Sequence, residues 1–144
     1  MSAVTVRRLQ VGDEREVARF DEAFDNTVDP SLADTFLRDE RHHLVVAYVN
    51  DRAAGFVSAT QVFHPDKQPE LFLNEISVIE RFRRAGAATA LIDELKAIGR
   101  ELGCASIWVL TDEGNEPAMA LYRKTGGQWT GQHSVMFEYL LPRG

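Results

Sequence analysis

Arg83-Arg84-Ala85-Gly86-Ala87-Ala88-Thr89-Ala90-Leu91-Ile92-Asp93-Glu94-Leu95 is the stretch on which the fold turns. Its second half opens an amphipathic helix. Over residues 86–102, Ala88, Leu91, Ile92, Leu95, Ile98 and Leu102 share one face, and Asp93, Glu94, Lys96, Arg100 and Glu101 take the other. Gly103 follows as a helix stop. Its first half is basic and then small. A turn of small residues between a strand and a helix leaves several N–H groups unpaired at the helix start, where the helix dipole adds partial positive charge. That arrangement suits a phosphate or pyrophosphate. Gly86 and Ala88 let such a group approach the backbone. Arg81, Arg83 and Arg84 add charge and fork-shaped donors. The plainer reading is a solvated basic loop. The coincidence of strand end, small residues and helix start favours the anion site. It is not a Walker A loop, which needs Gly-Lys-Ser/Thr, nor a dinucleotide fingerprint, which needs three glycines.

Working outward, the strand before the turn covers 71–79 and contains the acid Glu75. Upstream, 44–49 is an apolar, β-branched run, Asn50-Asp51 a turn and 55–63 a returning strand, so the two read as a hairpin. Residues 4–9 alternate weakly as a half-buried strand. Asp13 with Glu16 resembles a capping box ahead of Val17, Phe20 and Phe24, and Ser31 with Asp34 predicts a second cap. Downstream, 107–110 reads as a short core strand. Asn115 caps a helix that tolerates Pro117 in its first turn and ends at Gly126-Gly127. Residues 134–141 read as a closing strand, with a further strand near Trp129. The order is that of a mixed α/β (α+β) domain, expected to occupy 1–144 as one unit.

The chain has 144 residues, 44% hydrophobic and 26% charged, which is ample for a buried core. No apolar run approaches the ~20 residues that span a bilayer, and the first residues read directly into a strand rather than a leader. One cysteine, Cys104, excludes an internal disulfide framework and points to a reducing, cytoplasmic setting. With 16 basic and 22 acidic residues the net charge is −6. That weighs against nucleic acid as a partner and leaves room for a cationic one.

The pattern Arg83-Arg84-Ala85-Gly86-Ala87-Ala88, followed by Thr89-Ala90-Leu91-Ile92, resembles the acyl-CoA-binding signature of the GCN5-related N-acetyltransferases (GNAT). The preceding Leu73-Asn74-Glu75-Ile76-Ser77-Val78 is similar to that family's central strand. The run from Asn115 to Gly126 is similar to its Asn-x-x-Ala-x-x-Leu-Tyr-x-Lys-x-Gly segment. The likeness is strong over 71–127. Within the family, RRAGAATALIDEL at 83–95 and PAMALYRKTG at 117–126 look most like the aminoglycoside 3-N-acetyltransferases.

The resemblance implies a mixed central sheet with a splayed parallel strand pair, 71–79 and 107–110, flanked by helices. Acetyl-CoA is the implied cosubstrate, and no metal is implied. Its pantetheine would pair with Ile76 and Val78, and its pyrophosphate would sit on the turn of Arg83, Arg84, Ala85, Gly86, Ala87, Ala88 and Thr89. Asn115 would bond the pantetheine arm, and Lys124 or Arg123 would approach the 3′-phosphate end. Glu75 takes the general-base position and Tyr122 the position that protonates the departing thiolate. For each the plain alternative is structural: a solvent-facing acid, and a core tyrosine with its hydroxyl at the rim. Asp25, Asp29, Asp112 and Glu113 lie in loops that would wall an acceptor pocket.

The favoured function is therefore acetyl transfer to a primary amine of a small cationic acceptor, aminoglycoside-like first. The alternatives are another amine (polyamine, amino acid, protein or peptide) or a non-catalytic acyl-CoA-binding regulatory module. His42-His43, His64 and His133 lack metal-site spacing and read as surface residues. Cys104 reads as a small buried hydrophobe and Trp108 as core. A homodimer through the apolar C-terminal strand is a possible assembly, as in many members of the family.

Overall fold

The computed structural model describes residues 3–142. Strands β1 (Val4–Arg8), β2 (His42–Val49), β3 (Arg52–Val62) and β4 (Glu70–Val78) are antiparallel neighbours, and β5 (Ile107–Trp108) adds in parallel to β4, giving the order β1-β2-β3-β4-β5. Helices α1 (Glu14–Ala18) and α2 (Pro30–Arg38) fall between β1 and β2, α3 (Ala87–Glu101) between β4 and β5, and α4 (Glu116–Lys124) after β5. None is long and apolar enough to cross a membrane.

The sheet is buried on both faces, which is why β2 and β3 read as continuous apolar runs rather than alternating ones. Val45, Ala47 and Val49 of β2 join Val57, Ala59, Leu71 and Leu73 under the apolar face of α3, where Leu91, Leu95 and Ile98 are almost fully enclosed. Leu44 and Val46 point the other way, with Phe56, into a second cluster holding Val17, Phe20, Ala23 and Ala33. Phe24 stacks on Phe56 at 3.9 Å between centroids. The side chains thus alternate between two helical layers, and the strand register is fixed by both.

Several expectations change. The helix begun at Asp13 ends at Ala18, and Asp21–Ala23 is a separate 3₁₀ turn. Asp13 makes no cap bond. Its carboxylate accepts from Gln10 N–H at 2.8 Å and from Arg7 at 3.0 Å. The cap of α2 is Asp29, not Ser31, because Pro30 supplies the preset first helical residue, and Asp34 pairs with Arg38 instead. Strand β5 is two residues long rather than four, and Trp108 is 39% exposed at the sheet margin rather than core. Residues 134–141 form no strand: the alternation is present, but the segment lies off the sheet with no strand beside it. The same holds near Trp129. His42 and His43 are half-buried, and His42 Nδ1 and His43 Nε2 are enclosed without hydrogen-bond partners. Burial lowers the pKa of His43, which favours its neutral form.

Candidate active site

The site grows from β4. It pairs with β5 only at Leu71↔Ile107 and Phe72↔Trp108, while its other side stays paired to β3 as far as Val78↔Gly55. From Leu73 onward the side of β4 that faced β5 has no strand partner among the described residues. A register shift between Ser58 and Ala59 leaves Asn74 as an extra residue, a β-bulge just before Glu75. At the far end β3 and β4 approach closely. A Cβ on Gly55 would stand 2.4 Å from the Ser77 carbonyl oxygen, so only glycine fits there.

Beyond β4 the chain makes a 3₁₀ turn (Glu80–Phe82) and then the small-residue turn. Arg84 and Gly86 both have positive φ, at 66° and 91°. Gly86 is the N-cap of α3, and no side chain caps that helix. The first internal bond, from Ala90 N–H to the Gly86 carbonyl, leaves Ala87, Ala88 and Thr89 N–H groups without intrahelical acceptors. Space beside Gly86 is open. Ala87 is buried and anchors the helix start, while Ala85, Ala88 and Thr89 are half-buried and Arg83 and Arg84 exposed. This is a helix N-terminus presented uncapped, and its donor set fits a pyrophosphate.

The arginines divide. Arg83 folds back, donating from Nε to the Val78 carbonyl at 3.2 Å, and so ties the turn to the end of β4. Arg81 turns away from the turn. It grips Glu22 through both terminal nitrogens at 2.7 and 3.0 Å and lies 4.9 Å over the Phe82 ring. Arg81 therefore joins the turn between β4 and α3 to the 3₁₀ turn at Asp21–Ala23, a link the basic run did not reveal, since Glu22 is 59 residues away.

Glu75 is exposed on β4, and Ile76 and Val78 are half-buried against the α3 core. Partial desolvation pushes the Glu75 carboxyl up, and the negative charge of Asp25 pushes it further. The structure thus brings Asp25 to Glu75. Tyr122 is half-buried on α4, and desolvation raises its hydroxyl pKa, which keeps the O–H protonated at neutral pH. The Tyr122 carbonyl receives Gly127 N–H at 2.7 Å, and a Cβ at Gly127 would sit 2.9 Å from that oxygen. Lys96 Nζ donates to the Thr125 carbonyl and ties the end of α4 to α3. The helical pattern assigned Lys96 to the solvent face, and only the fold shows what it meets.

The remaining predicted residues have local partners. Asn115 caps α4, its side-chain oxygen accepting from Ala118 N–H at 3.2 Å, which leaves its amide donors free. Lys124 is exposed in the last turn of α4. Asp29 Oδ1 accepts from Ser31 N–H and hydroxyl and from Leu32 N–H, and these bonds lower its pKa, so it is engaged as a cap. Asp112 is exposed, and Glu113 meets His133. His64 is likewise not a lone residue, since it lies 2.7 Å from Glu70. Burial raises the Cys104 thiol, which makes it a poor nucleophile.

The half-open central strand and the uncapped helix end together form a place where an elongated anionic ligand fits. The sequence profile of the Acetyltransferase (GNAT) family matches residues 7–127, and the chain belongs to that family of acetyltransferases. No curated protein sequence matches it. Among solved structures, the aminoglycoside acetyltransferase HMB0005 from an uncultured soil metagenomic sample is 25% identical, with a TM-score of 0.81 and 97% and 99% of the two chains covered. AAC(6')-Iy in complex with a CoA–acetylneamine bisubstrate analogue is 18% identical (TM-score 0.81, coverage 96% and 99%). The ribosomal-protein-alanine N-acetyltransferase from Brucella melitensis biovar Abortus 2308 is 22% identical (TM-score 0.75, coverage 95% and 99%). AAC(6')-Iy is named for a 6′ position, not for the 3-N of the resemblance noted in the sequence.

Proposed function

We propose that the protein transfers acetyl from acetyl-CoA to a primary amine of a small cationic acceptor, aminoglycoside-like first, by direct attack. The observation that carries this is the uncapped N-terminus of α3 standing at the end of a central strand with one open side. Acetyl-CoA supplies an activated thioester. Ala87, Ala88 and Thr89 N–H groups, with Arg84, hold its pyrophosphate, and the open side of β4 at Ile76 and Val78 holds its arm. Asn115 offers its free amide donors to the same arm, and Lys124 a charge for the 3′-phosphate.

Glu75 accepts a proton from the acceptor ammonium, directly or through water, and its raised pKa makes it a stronger base than an ordinary glutamate. The freed amine nitrogen forms the new C–N bond as the C–S bond breaks. Tyr122, protonated at neutral pH, gives its proton to the leaving sulfur. Asp25 and Asp112 are exposed acids that offer a cationic acceptor its charge complement.

The test is release of free CoA thiol from acetyl-CoA across aminoglycosides, polyamines, amino acids and peptide N-termini, with wild type and Tyr122→Phe. Turnover of aminoglycosides is expected, slowed roughly 10²-fold or more by the substitution, with acetyl-CoA affinity unchanged. Turnover confined to polyamines or peptides overturns the acceptor. Tight acetyl-CoA binding with no turnover of any amine leaves a regulatory module.

A further inference from the structure

Glu22 and Arg81 stand 59 positions apart and meet in the open, their side chains 61% and 54% exposed. An ion pair so exposed adds little to stability. The pair is nonetheless held in one geometry. Both terminal nitrogens of the guanidinium donate to the carboxylate, at 2.7 and 3.0 Å. The guanidinium also rests 4.9 Å over the ring of Phe82, which is buried in the α3 core. Phe82 N–H donates to the Ile79 carbonyl at 2.8 Å and Arg83 to the Val78 carbonyl. The turn that carries Arg81 is thus tied to the end of β4.

The pair holds the segment 21–28. Asp21 Oδ1 accepts Val28 N–H at 2.9 Å and closes that segment into a loop. Ala23, Phe24 and Val28 pack on the second core cluster, Phe24 by stacking on Phe56. Among the described residues Glu22–Arg81 is the one ion pair that fastens this loop to the rest of the chain. The strand register says where the loop sits. Phe56 lies opposite Ser77 and Ser58 opposite Glu75, so all four share one face of the sheet. Ile76 and Val78 face the other way, against the α3 core. The loop that stacks Phe24 on Phe56 therefore lies on the Glu75 face, and Asp25 follows Phe24 directly. Among the described residues Asp25 is the one charged group that acts on the Glu75 carboxyl.

We propose that Arg81 and Glu22 form a positioning pair, which is fixed to the end of β4 and holds the 21–28 loop so that Asp25 stands opposite Glu75. What this serves rests on the acetyl-transfer reading: Asp25 meets the cationic acceptor beside its base. One turn, Glu80–Phe82, then leads into the cosubstrate end of α3 and also sets the acceptor side. Charge alone and position give opposite signs for Arg81. Removing its positive charge from a fixed structure makes Glu75 harder to ionise and raises its titration midpoint. Releasing Asp25 makes Glu75 easier to ionise and lowers that midpoint.

The test is ¹³C NMR titration of the Glu75 carboxyl in the full chain without substrates, for wild type, Arg81→Gln, Glu22→Gln and Asp25→Asn. Arg81→Gln and Glu22→Gln are each expected to lower the midpoint by roughly 0.3–1 pH unit, as Asp25→Asn does. In the Asp25→Asn background neither is expected to lower it further. An Arg81→Gln midpoint at or above the wild-type value overturns the proposal. Equal lowering with and without Asp25 overturns it too. In initial rates with amine acceptors, both variants are expected to raise the acceptor KM roughly two- to fivefold, the worth of one exposed charge contact. The acetyl-CoA Kd of Glu22→Gln is expected to stay unchanged. A lowered midpoint in a protein that turns over no amine keeps the positioning pair and removes the acetyl-transfer reading. Turnover with an unmoved or raised midpoint does the reverse.

Discussion

Glu75 is an exposed carboxylate with a raised pKa, a combination that calls for a local cause. Desolvation along β4 is the larger contribution and Asp25 the second. The sign of the consequence follows directly. In its proposed role as base Glu75 works deprotonated, so a raised pKa moves the acid limb of the pH profile upward. Asp25→Asn removes a negative charge, eases ionisation of Glu75 and should move the acid limb of kcat/KM to lower pH. A pH profile of the variant with saturating acetyl-CoA checks this. An unmoved limb with a raised acceptor KM would make Asp25 an acceptor contact only. Asp25 and Glu75 stand 50 positions apart in the sequence, so their proximity was not legible there. Glu75 itself stood out as a candidate, because an acid inside an apolar strand beside a phosphate-type turn is chemically conspicuous. Asp29 shows the opposite case. It looked like a pocket acid, and the proline after it made it a helix cap.

On the proposed reading, cosubstrate binding depends on the turn from β4 into α3, whose conformation rests on two left-handed residues. Gly86 at φ 91° has nothing within 4 Å of where a Cβ would stand. A Gly86→Ala change therefore acts through backbone strain rather than a clash, costing about 1–2 kcal/mol. Relaxation of that strain re-aims the Ala87 and Ala88 N–H groups. The expected outcome is a Tm lower by roughly 2–6 °C and a raised KM for acetyl-CoA, measured by thermal melting and initial rates. A lower Tm with unchanged KM would separate the turn from cosubstrate binding. This element was read almost whole from the sequence, since small residues, a strand end and a helix start are all local signals. The C-terminal segment was misread, since alternation alone makes no strand without a partner edge, and residues 134–141 have none among the described residues. Lys96 and Glu22 were missed for the same reason, as each acts on a partner distant in sequence.

Over the whole molecule, the net charge of −6 is unevenly used. Arg7, Arg8, Arg19, Arg38, Arg41 and Arg81 are all committed to ion pairs with Asp or Glu. Arg84 forms no ion pair and stays exposed beside the uncapped helix end, while Asp25 and Asp112 are exposed acids without an ion-pair partner among the described residues. An anion and a cation are thus each met by free charge of the opposite sign on the same domain. Long-range attraction of this kind is screened by salt, the Debye length falling from about 10 Å at 0.1 M to about 3 Å at 1 M. With acetyl-CoA saturating, kcat/KM for a polycationic acceptor should fall roughly three- to tenfold between about 0.05 and 0.5 M salt. A monoamine acceptor carries less charge for the domain to attract and should fall much less. Initial rates for both acceptors across that salt range decide the matter. Parallel slopes would mean that the acidity of the chain has no part in selecting its acceptor.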